Sequence, residues 1–243
     1  MRTIVPPFIQ YVANLVSRIP GAKRLLKPLY YSYKEKVNNN RNRIFRLNAI
    51  SVLRAFDAVM MDNNIPYSVF AGTMLGAVRE KGFIKHDLDI DTTVFYSDRP
   101  INMIEIMQNA GFRLIKTFTI DDGSKGLEET YEMDNVTIDI FYVHYDDDGH
   151  TYQCDFHAYN ESTSFDHSMR KYGYVISRKL KMPVSRQVKR IAFESIHVNI
   201  MINYDEWLRC RYGDDYMIPN PNFTDRSDNP YIIVWKHASY KSH

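Results

Sequence analysis

The sequence predicts an α+β domain, a mixed sheet flanked by helices with a basic helical extension at its N-terminus. Three observations lead there. Residues 87–95 alternate acids with apolar or β-branched side chains, the period-two pattern of a strand packed on one face. Residues 135–143 form a second strand-like run that sets Asp139 between Ile138 and Ile140. Leu47, Ile50, Leu53, Phe56, Val59 and Met60 recur at the spacing of a core-facing helix. A chain of 243 residues, 44% hydrophobic and 25% charged, can bury a sizeable core. The expected division is an extension over residues 1–43 and a catalytic domain over 44–243.

Within the extension, Phe8, Ile9, Val12, Leu15, Val16 and Ile19 fit an amphipathic helix ended by Pro20-Gly21. A second basic segment, residues 22–36, carries Lys23, Arg24, Lys27, Lys34 and Lys36. Residues 1–46 hold ten Lys and Arg against the single acid Glu35, a charge of +9. The rest of the chain carries −7, and the whole +2. Basic amphipathic helices lie on anionic membrane surfaces, so an anionic membrane is an expected partner; packing on the catalytic domain is the alternative. The acidic remainder offers no second basic face, and no nucleic acid partner is expected. No apolar run reaches the ~18–20 residues that span a bilayer. The stretch 8–19 lacks the continuous apolar region and cleavage site of a secretory signal. Cys154 and Cys210 have neither metal-type nor redox spacing. Together these features predict a cytoplasmic protein, peripheral at the inner face of the membrane.

The helix over 46–64 leads into a short strand at 67–71. Gly72-Thr73 follows where the pattern turns helical. Residues 101–110 read as a helix closed by Gly111, and 112–120 as a strand. Residues 121–124 and 146–149 are acidic but end near Gly between strand-like runs, and are read as turns. From 170 to 190 the chain has eight Lys and Arg and no acid, an exposed cationic surface and a second source of phosphate-binding cations. Residues 220–230 read as a polar loop.

The chemistry concentrates at the acidic strand. On a strand, Asp87, Asp89 and Asp91 share one face, about 6.6–7 Å apart. Three bare carboxylates there raise one another's pKa unless a cation sits between them, and a divalent metal is the simplest remedy. A calcium-binding EF-hand loop would need Gly and Glu where this chain has Thr92 and Asp98. Upstream, Gly72 lets the backbone approach a phosphate, the Thr73 hydroxyl can bond its oxygen, and a helix N-terminus adds positive field. The order strand, Gly-Thr, helix, Asp-rich strand is the signature of the nucleotidyltransferase (polymerase β-like) fold, which also wants a third carboxylate on a neighbouring strand. Asp139 supplies it, since an acid between apolar strand residues is expensive to bury alone.

The run Ile65-Pro66-Tyr67, then Gly72-Thr73-Met74-Leu75-Gly76-Ala77-Val78-Arg79, Lys81-Gly82-Phe83-Ile84, Asp87-Leu88-Asp89-Ile90-Asp91 and Ile138-Asp139-Ile140-Phe141, closely resembles the LicD family. That family includes bacterial phosphorylcholine transferases and the animal fukutin and fukutin-related proteins. The likeness is strong over residues 44–145, with a weaker echo at 204–219. It departs at Lys85-His86, where the family usually has Pro-Trp, and at Tyr142, where Pro is common. The resemblance implies transfer of a phospho-alcohol (phosphocholine, phosphoethanolamine or a polyol phosphate) from a CDP-alcohol donor to a glycan or lipid-linked oligosaccharide acceptor, with release of CMP. Asp89, Asp91 and Asp139 would be catalytic. With Asp87 they would hold Mg²⁺ or Mn²⁺. Gly72, Thr73, Arg79 and Lys81 would bind the donor phosphate. The alternatives are a true nucleotidyltransferase that uses an NTP and a glycan-binding protein without turnover.

Overall fold

The computed structural model describes residues 22–159, 163–220, 223 and 229–243. The amphipathic helix expected over residues 8–19 lies outside them. A long helix, α1 (Ala22–Asp62), joins the second basic segment to the core-facing stretch without a break. Phe45, Ala49, Val52, Leu53, Phe56 and Met60 are its buried face, at i, i+4, i+7 spacing. Leu47, expected in that face, is 66% exposed. The buried stripe is centred on Ala49 and Val52, and residue 47 points away from it.

After β1 (Ser68–Val69) the chain enters α2 (Ala71–Arg79), then β2 (Asp89–Phe95), α3 (Met103–Asn109), β3 (Arg113–Ile120), β4 (Gly126–Met133), β5 (Val136–Tyr145) and β6 (Thr151–His157). Helix α4 (Phe165–Tyr172) leads to β7 (Val175–Leu180), the hairpin β8 (Val188–Phe193) and β9 (Ile196–Met201), α5 (Tyr204–Tyr212) and β10 (Ile232–Ser242). The large sheet runs β1-β2-β5-β4-β3-β10-β7-β6, and a short β5–β6 pairing closes its last six strands into a barrel.

This architecture corrects the expected polymerase β-like mixed sheet. Among the described residues only β2–β5 pair in parallel; every other ladder is antiparallel. The connections explain why. Antiparallel neighbours need only a tight turn, whereas parallel ones need a long crossover. Asp134 and Asn135, both left-handed at φ 51° and 60°, form the two-residue turn that folds β5 back on β4. Short turns also join β3 to β4 and β5 to β6, at the acidic stretches 121–124 and 146–149, as the sequence predicts.

The main core lies between α1, α2, α3 and α5, the β8–β9 hairpin and the β1-β2-β5-β4 part of the sheet, with Trp207, Tyr67, Tyr131 and Tyr142 among its largest fully buried side chains. The barrel strands carry a second apolar cluster of Phe118, Ile120, Tyr152, Cys154, Phe156, Val175 and Ala238. Both cysteines are free thiols, Cys154 buried and Cys210 half-buried. Among the described residues no helix is long and apolar enough to cross a membrane.

Candidate active site

The parallel register of β2 on β5 sets Asp91 directly opposite Asp139 and Asp89 opposite Thr137. Carboxylate oxygens of Asp89, Asp91 and Asp139 thereby come within 4.8 Å of one another. Asp87 stands beside this trio, not in it, and its charge helps to raise Asp89 and Asp91. The strand begins at Asp89, and Asp87 sits in the preceding turn, where its Oδ2 accepts the Ile84 N–H at 2.8 Å. From α1, the Asn42 amide donates to the Lys85 and Asp87 carbonyls and pins this turn.

Burial and mutual repulsion dominate the electrostatics. Burial first, then the charge of Asp139, pushes Asp89 up to about 7. Burial, then Asp89 and Asp139, raises Asp91 well above the carboxylate range, against the pull of the Gly72 amide. Asp139 is raised by burial, and a Thr130 hydrogen bond and the charge of Lys116 work the other way. Asp87 rises by burial to about 6.

The first turn of α2 is built against Asp91. The Gly72 N–H donates to Asp91 Oδ2 at 3.0 Å, and the Thr73 hydroxyl accepts the Asp91 N–H at 2.9 Å. Ala71, at φ 40°, turns the chain into the helix just before Gly72, a left-handed backbone that costs an L side chain about 1 kcal/mol or more. A Cβ on Gly72 would lie 3.2 Å from Asp91 Oδ2, so this glycine permits the close approach. The cluster therefore sits in the positive field of a helix N-terminus.

The other sequence-expected cations lie elsewhere. Arg79 ends α2, about 10 Å along the axis from Gly72, and bonds Glu80 and the Tyr216 carbonyl. Lys81 Nζ donates to the Val78 carbonyl. In the segment 170–190, Arg178 pairs with Asp155, Lys181 with Asp146, Arg186 with Asp98 and Arg190 with Asp57. Lys179 lies over the Tyr152 and Trp235 rings, and Lys189 over Tyr204.

Strand β4 contributes what sequence reasoning missed. Thr130 is directly opposite Asp139 and bonds it, and Glu128 lies two residues along the same face. Glu128 is 9% exposed and, through burial and then the charge of Asp139, is raised well above the carboxylate range. A signal existed in the sequence, because acids such as Glu128-Glu129 are depleted from strands unless they have a task. Glu129 points to the opposite face and has one: it accepts Arg99, Tyr131 and Tyr142 at 2.5, 3.0 and 2.6 Å.

The residues fit a hard divalent cation. Three clustered carboxylates repel one another, and Asp139 Oδ1 is buried with no hydrogen-bond partner, so the Gly72 amide, Thr130 and Lys116 compensate the arrangement only in part. An all-oxygen donor set suits Mg²⁺ or Mn²⁺.

Comparison with known proteins identifies a family. The sequence profile of the LicD/FKTN/FKRP nucleotidyltransferase domain matches residues 64–200, a span that holds all three clustered carboxylates and Gly72. The chain is 24% identical over 190 residues to the ribitol-5-phosphate transferase FKTN of Mus musculus, covering 78% of this chain and 37% of that protein. To the FKTN proteins of Macaca fascicularis and Homo sapiens it is 24% and 23% identical over 176 residues, 72% of this chain and 34% of theirs. The chain thus spans about a third of the length of these relatives.

Proposed function

Because the chain belongs to the LicD/FKTN/FKRP family, we propose that it is a metal-dependent transferase that moves a phospho-alcohol group from a CDP-linked donor to a sugar hydroxyl. The observation that carries this reading is the convergence of Asp89, Asp91 and Asp139 at the N-terminus of α2. Among the candidate groups a polyol phosphate is favoured, since the FKTN relatives are named ribitol-5-phosphate transferases.

In the reaction the acceptor hydroxyl oxygen bonds to the phosphorus that carries the alcohol, the bond from that phosphorus to the CMP oxygen breaks, and CMP departs with the electron pair. Asp89, Asp91 and Asp139 would hold Mg²⁺ or Mn²⁺, which supplies charge neutralisation and polarises the phosphoryl oxygens. Gly72 orients Asp91 through its amide, and Thr73 locks the Asp91 backbone to α2. Thr130 holds one side of the Asp139 carboxylate. The partnerless Oδ1 of Asp139 is left for the ion or for the proton of the acceptor hydroxyl.

The test incubates purified protein and Mg²⁺ with CDP-ribitol, CDP-choline, CDP-ethanolamine or CTP and a glycan acceptor, and measures CMP and pyrophosphate. CMP release from a CDP-alcohol that falls at least about 10³-fold, near 4 kcal/mol, in Asp89→Asn and Asp91→Asn supports the reading. Pyrophosphate from CTP without CMP from any CDP-alcohol would replace it with nucleotidyl transfer. No turnover of any donor would leave a binding protein.

A further inference from the structure

The ladder registers line up four side chains across four adjacent strands. Asp91 on β2 is opposite Asp139 on β5, Asp139 is opposite Thr130 on β4, and Thr130 is opposite Lys116 on β3. Directly opposed residues project from the same face of a sheet, so Lys116 shares the face of the clustered carboxylates. Two inter-strand steps, about 10 Å, separate its backbone from that of Asp139. The residue between them, Thr130, is short, buried and turned to Asp139.

Lys116 is half-buried, yet its ammonium has no hydrogen bond or ion pair among the described residues. Its charge is felt at the site, where it opposes the rise of both Asp139 and Glu128. Of the cations that the sequence offered for a phosphate, Arg79, Lys81 and seven of the eight of 170–190 are tied to carboxylates, carbonyls or aromatic rings. A half-buried ammonium forfeits hydration, and the row of carboxylates cannot return it without also competing for the metal. An anionic ligand laid across the row between metal and lysine satisfies both. A diphosphate has the length and the charge to do so, with non-bridging oxygens at each end.

We propose that Lys116 holds the diphosphate of the donor, at the end of the row away from Asp91; this rests on the CDP-donor reading above. Lys116 is then the cation that steadies the departing CMP phosphate as its charge grows.

The test measures binding of CDP in the presence of Mg²⁺, and of Mg²⁺ alone, to the full chain as wild type, Lys116→Met and Lys116→Arg. Loss of a charge-assisted contact should weaken CDP binding to Lys116→Met about tenfold or more, and Lys116→Arg should retain most of it. Mg²⁺ alone should bind Lys116→Met as tightly as wild type or more tightly, because a like charge has been removed. Unchanged CDP binding in Lys116→Met would make the lysine a mere counter-charge and overturn the proposal. Parallel loss of CDP and Mg²⁺ binding would overturn it too, by showing a collapsed site. Failure of the parent reading looks different: wild type would release no CMP from any CDP-alcohol, and the proposal would fall with it.

Discussion

Replacing Gly76 with Ala should destabilise the protein although it improves the helix. Gly76 lies inside α2, where Ala is favoured over Gly by about 1 kcal/mol. A Cβ there would stand 2.4 Å from the Gly82 carbonyl oxygen and 3.3–3.4 Å from Ile84. The obstruction is backbone, held in place because the Gly82 N–H itself donates to the Gly76 carbonyl and the Ile84 N–H to Asp87. It cannot swing aside as a side chain would. Overpacking of this kind costs about 2–3 kcal/mol, so the net loss is about 1–2 kcal/mol, a fall in Tm of about 2–8 °C for a domain of this size. Gly72→Ala is the control. Its new Cβ is tight only against the Asp91 carboxylate, at 3.2 Å, which can rotate, and meets Asp87 Oδ1 at an ordinary 3.9 Å, so stability should hold while CMP release falls. Thermal and urea unfolding of both variants decide the matter. Gly76→Ala with unchanged or higher Tm would show that helix propensity outweighs the contact and that the 82–84 loop does not bear on α2 as described.

Three further outcomes are expected. Arg99→Met leaves the Glu129 carboxylate, 2% exposed, without its cation, and should cost about 3–5 kcal/mol in urea unfolding; a loss below about 1 kcal/mol would show that Tyr131 and Tyr142 alone compensate the charge. Burial works to raise Asp155, but His157, 3.3 Å away, and the hydrogen-bonded Arg178 hold it below its ordinary 3.8. The pair therefore stabilises the fold above about pH 4 and loses that contribution as pH falls through the lowered folded-state value. Arg178→Met should accordingly lower urea midpoints more at pH 6 than at pH 2.5, and an equal deficit at both would rule out a charge effect. Residues 1–36 should give salt-sensitive sedimentation with anionic vesicles; equal sedimentation of full-length and truncated protein would end the membrane proposal.

Local structure was legible in the chain and its assembly was not. The alternation at Asp89–Phe95 and the apolar run around Asp139 became β2 and β5, and the helical turn at Gly72 became α2. Periodicity reports which way a side chain faces, so it put Asp89 and Asp91 on one face. It began the strand two residues early, at Asp87, because nothing in the spacing marks where a strand yields to a turn stapled by the Ile84 amide and Asn42. Partner choice between strands leaves no such trace. The antiparallel union of β3 with β10 joins Thr119 to Ser239, far apart in the chain, and links the two halves of the barrel that the expected mixed sheet lacks. Lys116 escaped notice for the same reason. Only the register of two ladders brings it onto the face of Asp139, while the conspicuous basic run at 170–190 is spent mostly on ion pairs and aromatic rings.

The central claim, that Asp89, Asp91 and Asp139 form a metal site, is tested most directly by thermal unfolding of wild type and Asp139→Asn in chelator and in Mg²⁺. In chelator the Asn variant should be as stable as wild type or more so, because a buried, partnerless carboxylate oxygen and its repulsion of Asp89 are relieved. In Mg²⁺ at a hundred times its Kd, wild type should gain about 2.7 kcal/mol by mass action and overtake the variant, which gains little. Identical Mg²⁺ shifts in the two proteins would place Asp139 outside the site, and no shift in wild type would contradict the metal centre itself.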